Sequence, residues 1–168
     1  MMTPGARKLV LTAHVTTSLA WFGAVAGFLA LAIAGLTNAN GLVVRGAYLS
    51  MDLVNRFAIV PFCFASLVTG IVQSLGTPWG LVRHYWVLVK LFVTVVSTAV
   101  LMLHTRLIGY AAQIALEPAF TGTDLGRLRA QLAADAGAAL VVLLFATVLA
   151  VYKPRGVTPF GQRRLVRG

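Results

Sequence analysis

Acidic residues are almost missing from this chain: Asp and Glu together number 4 against 14 Lys and Arg, and only 11% of the 168 residues are charged. A soluble domain of this length would need far more charge on its surface. With 59% hydrophobic residues, the composition is that of a membrane protein. The net charge of +10 would suit nucleic acid, but once the apolar runs are removed no soluble domain is left to carry such a surface. Nucleic acid is therefore not an expected partner. A single cysteine, Cys63, excludes an intramolecular disulfide and any multi-cysteine metal site. It lies inside an apolar run and reads as a small buried hydrophobe. No Ser/His/acid order, paired carboxylates, phosphate loop or Cys/His metal spacing occurs, so the familiar soluble chemistries have no support.

What is present is a set of four apolar runs, at about 9–36, 53–75, 85–107 and 135–152. About 20 residues cross the hydrocarbon of a bilayer. The first run is much longer than the ~7 to 15 apolar residues of a secretory signal, so it reads as a retained span. Within it Gly23 and Gly27 form a GxxxG that permits close approach of a partner helix. Thr37 to Asp52 is rich in turn formers and reads as a loop. Asn55 and Arg56 open the second run, and Pro61 within it kinks a helix without preventing the crossing. Gly76-Thr-Pro-Trp-Gly80 is a tight turn that makes the second and third spans antiparallel neighbours. Ile108 to Ala134 is the longest polar interval, in which Thr123 suits the N-cap of an amphipathic helix starting at Asp124. The tail from Lys153 is basic and rich in Pro and Gly, an interfacial end.

The expected fold class is all-α, an integral membrane four-helix bundle forming one domain over residues 1–168. Both termini then share one side with the short turn. On that side lie Arg7, Lys8, Arg83, Lys90, Lys153, Arg155, Arg163, Arg164 and Arg167 and no acid; the other side holds all the acids with Arg45, Arg56, Arg106, Arg127 and Arg129. Positive residues stay inside, which places both termini in the cytoplasm of a bacterial-type cell membrane. Trp79, Tyr85, Trp86 and Tyr152 suit the inner aromatic belt, and Tyr48 and Tyr110 the outer one.

The third span carries a polar stripe. On a helical wheel Thr94, Ser97, Leu101 and His104 all fall within about 40° of Lys90. Ionisable residues inside a span are functional candidates, although Thr and Ser often only bond back to their own helix and a terminal Lys often snorkels. Depth divides the polar residues into two groups. His14 and Lys90 lie at similar depth, roughly 8 Å from the side of the termini, whereas His104 is about 21 Å further along. One metal or haem iron bridging His14 and His104 is thus not expected. The inner group combines His14, Thr17, Ser18, Gln73, Ser74, His84 and Lys90. The outer group combines Asn55, Arg56, His104 and Asp135, with an Arg–Asp pair that reads as structural. The inner group has no acid for Lys90, which either snorkels, sits uncharged in the apolar interior, or meets an anion such as a propionate.

Several short motifs suggest relatives. His14 followed by Trp21-Phe22-Gly23, then Arg56-Phe57, Thr69-Gly70, Trp79-Gly80 and Trp86-x3-Lys90-Leu91, resemble the first three helices of the HemJ-type membrane protoporphyrinogen oxidases and of the copper-resistance D-type membrane proteins. Tyr152-Lys-Pro-Arg-Gly156 resembles the tail of actinobacterial-type predicted integral membrane proteins of unknown function. The resemblance to the haem-pathway family implies haem b or a porphyrin as ligand, with His14 and Lys90 matching its first-helix histidine and third-helix lysine. Thr37-Asn-Ala-Asn40 stands where that family carries an arginine-rich motif. For copper, Met1, Met2, Met51 and Met102 are too scattered for a thioether Cu(I) site.

Three functions are expected in turn. The first is a haem- or porphyrin-binding membrane protein with a redox role. In it His14 is the metal ligand, His84 or Lys90 the opposite ligand or a propionate contact, and Thr17 and Ser18 the support. The competing reading of His14 is a bond to a Ser or Thr across helices. The second is a cofactor-free membrane subunit whose GxxxG face and basic rim bind a membrane protein partner, another copy of the chain or anionic lipid. The third is a small carrier or ion pathway formed by an oligomer.

Overall fold

A computed structural model describes residues 2–77, 81–121, 124–154, 156–159 and 162. Four long helices account for almost all of them: α1 (Pro4–Thr37), α2 (Gly41–Gly76), α3 (Tyr85–Leu116) and α4 (Leu128–Tyr152). All four are long and apolar enough to cross a membrane, the architecture of a multi-pass membrane protein. No strand occurs among the described residues, only an isolated bridge between His84 and Val157.

Local chemistry sets the helix starts. Thr3 Oγ1 accepts from the Ala6 N–H at 3.3 Å with Pro4 in the first turn, a capping residue followed by the one residue that wastes no donor there. Asn40 Oδ1 accepts from the Leu42 N–H at 3.0 Å and starts α2. The expected loop over 37–52 is therefore a correction: only Asn38–Asn40 separates the helices. Val44, Ala47, Tyr48 and Met51 are buried, a helical spacing that outweighs the turn-forming Asn and Gly before it.

The turn at Asn55–Ile59 widens to a π-helix, with the Val60 N–H donating to Asn55 O. Pro61 has no N–H to offer the preceding turn, and its ring crowds the carbonyl four residues back. The extra residue absorbs this conflict without breaking the span. The polar interval after α3 is also shorter than expected. Ile108, Ala111, Ala112 and Ala115 are buried and carry α3 on to Leu116, and α4 begins at Leu128 as one continuous helix. No separate helix starts at Asp124, which lies in a turn bonded to Thr121 (2.7 Å from its N–H, 2.8 Å from its hydroxyl). The expected cap Thr123, the turn residues 78–80, Arg155 and the last six residues lie outside the described residues.

Each helix packs on the next in a square: α1 beside α2 and α4, α3 beside α2 and α4. Helices α1 and α3 are thus diagonal, and residues joining them meet on the bundle axis. The core lies away from the termini, where Val25, Phe28, Ala32, Tyr48, Met51, Ile108, Ala111, Ala115, Leu132 and Ala136 form one apolar cluster. Arg129 of α4 donates to Gly35 O (2.6 Å) and Leu36 O (2.7 Å), capping the carbonyl end of α1 with a cation. A Cβ on Gly35 would stand 2.9 Å from Tyr48 Cζ, so only glycine admits that ring. Nothing lies within 4 Å of a Cβ placed on Gly23 or Gly27. The GxxxG is therefore unused in packing among the described residues.

Candidate functional site

Toward the termini the bundle opens around a cavity of about 630 Å³ lined by all four helices, within the size range of small-molecule and cofactor sites. One wall is apolar, built by α4 (Leu143, Leu144, Ala146, Ala150) and the start of α1 (Leu11, Val15, Leu19, Phe22). The facing wall is polar: His14 and Ser18 from α1, Ser66, Gln73, Ser74 and Thr77 from α2 and its end, and Lys90 and Thr94 from α3. Lys153 lines it at the end of α4, and no carboxylate does among the described residues.

His14 is the hub of the polar wall. Its Nδ1 lies 3.1 Å from Ser66 O and 3.1 Å from Thr69 Oγ1. A carbonyl only accepts, and the Thr69 hydroxyl already donates to Ala65 O at 2.6 Å. Both partners therefore accept, which assigns a proton to Nδ1. On the other side Lys90 Nζ is 3.3 Å from Nε2. Lysine has donors and no acceptor when charged, so Nε2 presents its lone pair. The ring is thus fixed in one tautomer by α2 and aims its free electron pair across the bundle axis at α3.

Gly70 makes this possible. A Cβ there would stand 3.0 Å from His14 Cε1, so the imidazole rests on bare backbone. Thr17 donates to Ala13 O (2.9 Å) and lies 3.4 Å from Thr69 Oγ1; Ser18 Oγ is 2.8 Å from Ser66 Oγ. These two hydroxyls tie α1 to α2 directly beneath the ring.

Of the inner group named from sequence, His14, Lys90, Ser18, Gln73 and Ser74 line the cavity and Thr17 supports it. His84 does not line it. It precedes α3, with its backbone bridged to Val157. Ser66 and Thr69, which hold the imidazole, fall in neither sequence group. Their signal is the spacing Ser66, Thr69, Gln73, Thr77, one face of a helix at three- and four-residue steps.

The outer group does not form one cluster. Arg56 Nε pairs with Asp52 Oδ1 at 2.8 Å one turn earlier on α2, because that stretch is helix rather than loop and i,i+4 partners face each other. Asp135 Oδ2 instead lies 2.8 Å from His104 Nε2. Asn55 is fully buried and donates to Thr105 Oγ1 at 3.1 Å. The expected Arg56–Asp135 pair is thus replaced by two separate ones. The stripe on α3 faces no single neighbour: each residue advances about 100° around the helix, so Thr98 and Thr105, one residue beyond Ser97 and His104, point elsewhere than the stripe does. Thr98 and Thr105 face Cys63 (3.2 Å) and Asn55 on α2, while His104 turns to α4.

No group of three or more His, Cys, Asp or Glu side chains that could hold a metal ion occurs among the described residues. A single imidazole beside the cavity remains. No family model matches the chain, and neither the curated proteins nor the solved structures contain a match.

Proposed function

We propose that the cavity is a ligand site for haem b or a closely related porphyrin, and that the chain is a membrane redox protein built around it. One observation carries this reading: an imidazole whose Nδ1–H is held by a backbone carbonyl and a hydroxyl, with its Nε2 lone pair directed at the bundle axis beside a large apolar wall. That is how proteins orient a metal-ligating histidine, since a bond to the far nitrogen fixes tautomer and ring together.

The residues fit the group. His14 would hold its iron through Nε2. Lys90, which now occupies that lone pair, would turn to a propionate, the anion an acid-free cavity lacks. His84 and His104 lie outside the cavity, so His14 is the one histidine that would hold the group. When bound, haem supplies reversible one-electron chemistry. The chain's own part is to orient the imidazole, exclude water with the α4 wall and neutralise a carboxylate.

The test is an absorption spectrum of protein purified in detergent from haem-replete cells, oxidised and then dithionite-reduced, with porphyrin extracted from the same sample. A Soret band that sharpens with α and β bands on reduction, and that His14→Ala removes without preventing membrane insertion, is the expected result. A band that survives His14→Ala would refute the ligand assignment. A colourless protein would favour the second reading, a cofactor-free subunit. The observation behind that reading is the open face at Gly23 and Gly27, which would accept a helix of another chain.

A further inference from the structure

The polar wall holds a buried acceptor that meets no donor among the described residues. Gln73 lines the cavity, and its Oε1 is buried with no hydrogen-bond partner. Buried acceptors are nearly always paired, because leaving one unmade costs more than the bond is worth. Gln73 stands one helical turn beyond Thr69, about 6 Å nearer the termini than the His14 level, and lines the same cavity as Lys90. Its flexible side chain can swing the amide into the cavity, where no protein group among the described residues now meets the oxygen.

We infer that Gln73 is the second head-group contact of this site, and that the ligand carries two recognition groups side by side: an anionic oxygen for Lys90 and an O–H or N–H donor for Gln73 Oε1. This rests on the ligand-cavity reading above and narrows it. Within porphyrins the pair is two neighbouring propionic side chains, one ionised and one in its acid form. In the broader class it is a carboxylate next to a hydroxyl. Lys90 alone would accept any apolar acid; Gln73 makes the site choose.

The choice is measurable. The probes are haem b, its monomethyl ester and its dimethyl ester, titrated into wild type and Gln73→Leu. Wild type should bind haem b about tenfold more tightly than the monoester, the worth of one good buried hydrogen bond, and the dimethyl ester more weakly still. Gln73→Leu should bind haem b and the monoester alike, while its ligand-free form is no less stable to heat, because the change removes an orphaned acceptor. Equal losses of haem b and monoester binding in Gln73→Leu, or no loss of either, would overturn the inference. If wild type binds no porphyrin at all, the haem reading fails by itself. A second probe pair, palmitate and 2-hydroxypalmitate, then decides the inference alone. Preference for the hydroxy acid in wild type that vanishes in Gln73→Leu supports it, and absence of that preference refutes it.

Discussion

The two histidines of the bundle interior sit in opposite settings. His104 has an acceptor at each ring nitrogen, Val100 O at 2.9 Å from Nδ1 and the Asp135 carboxylate at 2.8 Å from Nε2. Both nitrogens are thus taken up within the protein, and His104 serves as a contact that joins α3 to α4. His14 has acceptors at Nδ1 and a donor at Nε2, so it keeps a lone pair for use. The same contrast holds around them. The half of the bundle away from the termini is packed, capped and paired; the other half holds a cavity with one polar wall. One half is packed for stability and the other leaves a cavity open to a ligand.

That division can be broken from either end. The largest effect on stability is expected from Tyr48→Ala, which empties a fully buried ring position and should cost about 3 kcal/mol or more, read as a lower unfolding midpoint in detergent. Arg129→Met should cost about 2 kcal/mol by uncapping α1, again with no loss of ligand affinity beyond what unfolding explains. In the other half the pattern should reverse. Gly70→Ala pushes on the imidazole and Thr69→Val removes one of its acceptors. Each should weaken haem b binding roughly tenfold or more, the usual consequence of disturbing the support of a ligating histidine, while the unfolding midpoint moves little.

The smallest effect concerns the loop before α4. The Thr121 N–H, and then the Thr121 hydroxyl, hold the exposed Asp124 carboxyl below its usual range. A depressed folded-state value means that the loop's extra order is present above the ordinary carboxylate range and is lost as pH falls through the lowered value. A drop in the protection factor of the Thr121 amide on acidification, abolished in Asp124→Asn, would show it. Haem binding should be indifferent to that change.

The apolar runs made the four helices legible, since length and composition alone decide whether a segment can cross a bilayer. Their ends were less so. Tyr48 and Met51 are core residues in a stretch whose Asn and Gly signal a loop. Ile108 to Ala115 continue α3 into an interval whose polar character comes from Glu117, Asp124, Arg127 and Arg129, all beyond the helix end. In the site, equal depth put His14 and Lys90 within reach of each other, because depth is a count along a helix. Rotation about each helix axis is not such a count. It separates Thr98 and Thr105 from His104, gives Arg56 to Asp52, and brings Ser66 and Thr69 rather than His84 to the imidazole.

The most direct test is the shift in unfolding midpoint on adding haem b, measured for wild type and His14→Ala side by side. Ligand at about a hundred times its dissociation constant should stabilise wild type by roughly 2.7 kcal/mol, and His14→Ala should start from nearly the same midpoint and gain little. No shift in wild type, or an equal shift in both proteins, would contradict a site built on His14.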